Sequence, residues 1–163
     1  MISLQPELLT AEAFAPYGDV VESSAQQVAA MNAESFERFD DLCSVEAFDG
    51  HVAISIARCR TITTLPHSFD MIERHPHGSQ SFVPLTPCRM MVVVASAGEP
   101  AAAADLRAFV SNGRQGINYH RGTWHMPLIA FDVGQEFLII DRVGESPNCD
   151  LHYLDEPVTL LEV

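Results

Sequence analysis

The stretch Glu73-Arg74-His75-Pro76-His77-Gly78-Ser79-Gln80-Ser81-Phe82-Val83-Pro84-Leu85 carries a break in its middle. Side chains on a strand alternate between faces, so Glu73 and His75 share one face and Arg74 points the other way. Pro76 and Gly78 force a turn, and Gln80 to Leu85 resumes as a second strand. Such a turn can return Gln80 to the side of His75, gathering a carboxylate, an imidazole and an amide in one pocket. The competing reading is a solvated turn, because histidine beside proline and glycine is common there.

The same grammar extends in both directions. Val52, Ile54 and Ile56 alternate with small residues over His51 to Cys59. Strands are expected again at Arg89 to Ala95, Leu106 to Ser111, Trp124 to Phe131 and Glu136 to Asp141. Turn chemistry separates them at Gly98-Glu99-Pro100, Asn112 to Gly116 and Asp132 to Gln135. Towards the N-terminus, Thr10 can cap a short helix containing Glu12 and Phe14, closed by Pro16 and Gly18, with a strand at Asp19 to Glu22. Residues 23 to 35 lack periodicity and read as a loop. Ala101 to Ala104 reads equally well as one helical turn or as a loop. Asn148-Cys149-Asp150 reads as a turn. Short strands at this spacing, with few helix signals, imply an all-β antiparallel barrel or sandwich. The whole chain, 1–163, reads as one domain.

A second polar cluster lies at Asn118-Tyr119-His120-Arg121-Gly122-Thr123-Trp124-His125-Met126-Pro127. It holds the only tryptophan, two histidines and a tyrosine. Gly122-Thr123-Trp124-His125 suits a turn that feeds a strand, with His125 at the strand's start. Trp124 alone reads as core, and His125 alone could be a satisfied core histidine. Two such clusters in one small barrel favour a site, because polar rings are costly to bury without purpose. Asp141 is in phase with Phe137 and Ile139, and Asp141-Arg142 reads as a structural pair.

Composition removes several function classes. All nine basic residues are arginine, so Schiff-base chemistry and a Gly-Lys-Ser/Thr phosphate loop are excluded. A net charge of −13 disfavours nucleic acid and anionic membrane as partners. The four cysteines form no Cys-x-x-Cys pair and read as separate reduced thiols. No apolar run is long enough to cross a bilayer and no secretion signal opens the chain, so a cytoplasmic location is expected.

The two clusters resemble the two motifs of the cupin superfamily, with Glu73-x-His75 and Gln80 in the first and His125 closing the second. Here the first histidine and the final carboxylate of the usual metal-binding pattern are replaced. Glu73-Arg74-His75-Pro76 through Leu85, Ala108-Phe109 with Asn112-Gly113, Gly116 through Leu128, and Phe137-Leu138-x-Ile140-Asp141-Arg142 resemble the ureidoglycolate lyase family. Ala13 to Val20 resembles that family's opening. The resemblance implies a cupin-type β-barrel or jelly roll, a homodimer, a role in allantoin and purine breakdown, and release of urea from ureidoglycolate to leave glyoxylate.

For that reaction the residues offer Glu73 or His125 as base and His75 or His120 as acid. Gln80 can hold the ureido group, Arg74 or Arg121 the carboxylate, and Tyr119 and Trp124 complete the contacts expected around the substrate. His75, Gln80 and His125, with Glu73, also form a set compatible with a divalent metal such as nickel or zinc, although Gln80 is a weak neutral ligand. The rival readings are an amidohydrolase that releases ammonia from the same substrate and a non-catalytic cupin that binds a small carboxylate.

Overall fold

A computed structural model describes residues 2–23 and 28–163. In chain order the elements are β1 (Ile2–Leu4), β2 (Glu7–Leu8), helix α1 (Ala11–Phe14), β3 (Gly18–Val21), β4 (Val28–Met31), β5 (Phe36–Phe39), β6 (His51–Arg58), β7 (His67–Arg74), β8 (Gln80–Pro84) and β9 (Met91–Ala95). A 3₁₀ turn (Ala103–Asp105), β10 (Arg107–Val110), β11 (Gly116–Tyr119), β12 (Trp124–His125), β13 (Glu136–Val143) and β14 (Asp150–Leu160) follow. A seven-stranded sheet runs β1-β14-β7-β12-β9-β10-β2 and faces a five-stranded sheet in the order β3-β11-β8-β13-β6. The result is the all-β half-barrel that a cupin-type chain is expected to form.

Alternation explains two hydrophobic cores. Phe82, Ile117, Tyr119 and Phe137 of the five-stranded sheet meet Val92, Val94 and Phe109 of the seven-stranded sheet. Phe14 of α1 plugs this inter-sheet core, its ring edge-on to Phe109 at 5.5 Å. The opposite face of the seven-stranded sheet carries Ile72, Met91, Val93, Ala95 and Trp124, packed with Ala103, Leu106, Val158 and Leu160. Each fully buried aliphatic or aromatic side chain contributes ~1.5–3 kcal/mol. The one α-helix among the described residues is local and capped as expected: Thr10 Oγ1 accepts from the Ala13 N–H at 3.2 Å.

Several elements differ from the sequence reading. Of the expected loop 23–35, residues 24–27 lie outside the described residues, whereas 28–31 pair with 36–39 as an exposed hairpin. Asn32, Ala33 and Glu34 turn it with positive φ and no glycine, so the usual turn signal is missing. The strand expected over 124–131 ends at His125. Met126 still donates to the Val93 carbonyl at 2.9 Å, but Pro127 has no N–H to continue the ladder. β11 was hidden behind the turn residues Asn112 to Gly116. β14, an eleven-residue strand, was missed entirely; Pro157 and a register shift between Tyr153 and Val158 break its pattern. The segment 101–104, left open between turn and loop, holds the start of the 3₁₀ turn. No helix among the described residues is long and apolar enough to cross a membrane.

Candidate active site

β12 is two residues long, yet it joins β7 to β9 and fixes the centre of the site. Its His125 lies opposite both Glu73 and Val94. Cross-strand partners share a face, so all three point into the space between the sheets. His125 is 1 % exposed and stacks on Tyr119 with ring centroids 4.2 Å apart. His75, one residue past the end of β7, brings its ring to 5.2 Å from His125. The donor atoms of Glu73, His75 and His125 lie within 4.8 Å of one another. The two sequence clusters therefore meet at one end of the inter-sheet core.

Hydrogen bonding sets the protons. His125 Nδ1 lies 3.0 Å from the Thr123 carbonyl, which can only accept, so Nδ1 carries the hydrogen. Its Nε2 therefore presents a lone pair, and that buried atom has no hydrogen-bond partner; Glu73 Oε1 stands off at 3.5 Å. His75 Nδ1 likewise donates to the Asn148 carbonyl, at 2.6 Å. His75 Nε2 lies 3.0 Å from Gln80 Oε1, while Gln80 Nε2 donates to Asp141 Oδ2 at 3.3 Å. In this arrangement His75 donates from both nitrogens. Turning the Gln80 amide over would free the Nε2 lone pair but set Oε1 against the Asp141 carboxylate.

Glu73 is held below the ordinary carboxylate range. Its interaction with His125, which acts once Nε2 carries a hydrogen, is the largest cause; partial burial opposes it, and His75 and the Cys149 thiol add to it. The Cys149 thiol, 3.6 Å from Glu73 Oε2, is pushed up by burial and by that carboxylate. Tyr119 is raised by burial first and Glu73 second, so it stays neutral. An orphaned buried imidazole nitrogen, a second anchored imidazole and an ionised carboxylate suit a divalent cation chemically once His75 Nε2 has given up its hydrogen, since both Nδ1–H groups are fixed by carbonyls in the manner of metal-ligating histidines. Gln80, expected as a further ligand, places Oε1 beside His75 Nε2 and Nε2 beside Asp141.

The turn between β7 and β8 is held from outside. Gly78 pairs with Ala47, and a Cβ at Gly78 would come within 2.8 Å of the Arg142 Cβ and the Glu46 carbonyl. Arg142 is buried and donates to the carbonyls of Phe48 at 2.6 Å, Asp49, and Ser146 at 2.9 Å, and to Ser146 Oγ at 2.7 Å. The expected Asp141–Arg142 pair is thus absent among the described residues: alternation on β13 sends the two to opposite faces, and each has other partners. Asn148 lies at the same turn, its Oδ1 accepting the His77 N–H at 2.7 Å.

The remaining sequence candidates are distributed around this centre. Trp124 points to the other core, covered by the Arg74 guanidinium at 4.6 Å. Arg74 itself donates to Asp150 at 2.9 Å and to the Gly98 carbonyl at 2.7 Å. His120 pairs with Asp19 at 3.0 Å and does not join the trio of Glu73, His75 and His125. Arg121 lies over the Phe48 ring at 4.5 Å, and the next residue, Gly122, donates its N–H to the His75 carbonyl at 3.0 Å. Gly122 takes a φ of +81°, which its lack of a Cβ permits. Asn148, Cys149 and Asp141 are members of the site that sequence reasoning did not assign; only the phase of Asp141 with Phe137 signalled it. Cys43, Cys59, Cys88 and Cys149 are all free thiols.

A family model described as ureidoglycolate lyase matches residues 1–161. A protein named ureidoglycolate lyase from Pseudomonas syringae pv. tomato is 44 % identical over 158 residues, covering 96 % of this chain and 92 % of that protein. Another of that name from Pseudomonas fluorescens (strain SBW25) is 43 % identical over 163 residues, covering 99 % and 97 %. One from Pseudomonas savastanoi pv. phaseolicola is 45 % identical over 157 residues, covering 95 % and 92 %.

Proposed function

The chain belongs to the ureidoglycolate lyase family, and we propose that it releases urea from ureidoglycolate, leaving glyoxylate, at the centre formed by Glu73, His75 and His125. The single observation that carries the site is the buried His125 Nε2, which faces Glu73 and His75 without a hydrogen-bond partner. A lone pair left unsatisfied in a folded interior costs ~1–3 kcal/mol, and a substrate hydroxyl would satisfy it.

The reaction needs one proton removed from the hydroxyl and one delivered to the departing nitrogen as the carbon–nitrogen bond breaks. His125 Nε2 accepts the first. Glu73, held low and therefore a poor base, stays ionised and stabilises the imidazolium that forms. His75, donating from both nitrogens and backed through Gln80 by Asp141, delivers the second. Arg121 holds the substrate carboxylate, because Arg74 is occupied on the far face. Gln80 orients the ureido group. Glu73, His75 and His125 would also hold a divalent ion such as nickel or zinc, which when bound supplies polarisation of substrate oxygen.

The homodimer belongs to the same proposal. β6 is an edge strand whose Val52, Ile54 and Ile56 are 48, 70 and 60 % exposed on one face. An edge with an apolar face of this kind calls for a cover. Ile54→Glu is expected to give monomers by light scattering; an unchanged mass would remove this surface. Free thiols fit a reducing cytoplasm, and the reaction fits breakdown of allantoin.

The test is direct. Protein incubated with ureidoglycolate should yield urea and glyoxylate in equal amounts without ammonia. Ammonia as the product would make it an amidohydrolase, and tight binding without turnover a small-acid sensor. Turnover that survives complete metal removal supports His125 as the base; loss with recovery on added nickel makes it a ligand.

A further inference from the structure

We propose that Asn148 is a positioning residue that fixes the proton of His75. This rests on the reading above that His75 belongs to the reacting centre. Asn148 reaches the β7–β8 turn twice. Its carbonyl accepts the His75 Nδ1–H at 2.6 Å, and its side-chain Oδ1 accepts the His77 N–H at 2.7 Å. The second bond holds the first in register. The β13–β14 connection is otherwise pinned at Ser146, by Arg142, at Cys149, whose thiol donates to Glu73, and at Asp150, by Arg74 and the β7–β14 ladder. Between these anchors the side chain of Asn148 ties its own peptide to the residue two places beyond the imidazole. Without it, the carbonyl is free to rotate away from the ring. Once Nε2 has delivered its hydrogen and the ring is neutral, His75 then lacks the acceptor that keeps the remaining hydrogen on Nδ1, and its Nε2 is no longer aimed consistently at Gln80 and the reacting centre.

Three forms separate this from a merely structural role: wild type, Asn148→Ala, and Asn148→Asp, which retains the oxygen facing the His77 N–H. The first readout is the ¹⁵N spectrum of histidine-labelled, metal-free protein, at a pH where the rings are neutral, with His75 assigned by loss of its signals in His75→Gln. Wild type is expected to hold the hydrogen on Nδ1, Asn148→Ala to show a mixture of tautomers, and Asn148→Asp to restore the wild-type pattern. The second readout is turnover: kcat should fall about tenfold or more in Asn148→Ala with KM changed by less than about threefold, and recover largely in Asn148→Asp. An unchanged His75 tautomer in Asn148→Ala overturns the proposal. So does Asn148→Asp that loses as much turnover and thermal stability as Asn148→Ala. Should wild type fail to act on ureidoglycolate, the functional reading falls, and the tautomer measurement still decides the role of Asn148.

Discussion

Replacing His125 with leucine and, separately, its neighbour Trp124 with alanine should divide function from stability across the two faces of one short strand. His125→Leu removes the bond to the Thr123 carbonyl at 3.0 Å and the stack on Tyr119 at 4.2 Å. These losses amount to ~1–3 kcal/mol and ~0.5–1.5 kcal/mol. The same change removes the partnerless Nε2, which relieves ~1–3 kcal/mol of desolvation. The net cost is therefore centred on ~1 kcal/mol and at most about 3.5 kcal/mol, or a fall of up to about 14 °C in Tm for a chain of this size. Turnover should nonetheless drop by ~10²–10⁴ if Nε2 is the base. Trp124→Ala empties a side chain that is 2 % exposed in the other core, at ~3–5 kcal/mol, and releases Arg74 from its ring. Its Tm should fall by about 6–20 °C, while turnover per folded molecule stays close to wild type. Denaturant unfolding gives the first quantity, and product assays well below each midpoint give the second. Full activity in His125→Leu, or lost activity in fully folded Trp124→Ala, would refute the assignment of faces.

Arg121→Gln should raise KM by about tenfold or more with little change in kcat, because a carboxylate contact made equally in ground and transition states affects binding alone; a kcat effect without a KM effect would count against it. Glu73→Gln should speed alkylation of Cys149, followed by peptide mass spectrometry. The thiol is raised by burial and then by the Glu73 charge, so removing that charge lowers its pKa and enlarges the thiolate fraction at neutral pH; equal rates would deny the contact. Nickel at a hundred times its Kd should stabilise the wild type by about 2.7 kcal/mol and leave Glu73→Ala unmoved. An equal thermal shift in both proteins would place the ion elsewhere.

The strands with clean alternation were legible, and so was the pairing of the two polar clusters. Val52, Ile54 and Ile56 gave β6 away, and Pro76 with Gly78 marked the turn that returns Gln80 to His75. What stayed hidden depends on tertiary partners. β14 mixes exposed Leu151 and Tyr153 with buried Val158 and Leu160 around a bulge, so no single period spans it. The β4–β5 hairpin turns without glycine. Within the site, Asn148 meets His75 through its peptide carbonyl, which every residue carries, and only its side-chain bond to the distant His77 N–H depends on its identity, a contact that no local sequence pattern signals. Arg142 reads as the partner of its neighbour Asp141 until alternation places the two on opposite faces.

The handling of charge follows from where the arginines go. The chain carries −13 and has no lysine. Arg38, Arg58, Arg74, Arg89 and Arg107 are each held by a carboxylate, and Arg142 is spent on loop carbonyls. An anionic substrate approaches against this net charge, but at physiological salt the field fades over about 8 Å. Distant acidic groups therefore cost little, and the cation nearest the reacting carbon decides binding. Arg121, proposed for that place, has no carboxylate partner among the described residues, and the adjacent Gly122 is bonded to His75 itself. A guanidinium stacked on Phe48 is already partly stripped of water. Less solvation is then lost when a carboxylate arrives, so one exposed arginine can offset the surrounding acidity where a freely hydrated lysine would do so less well.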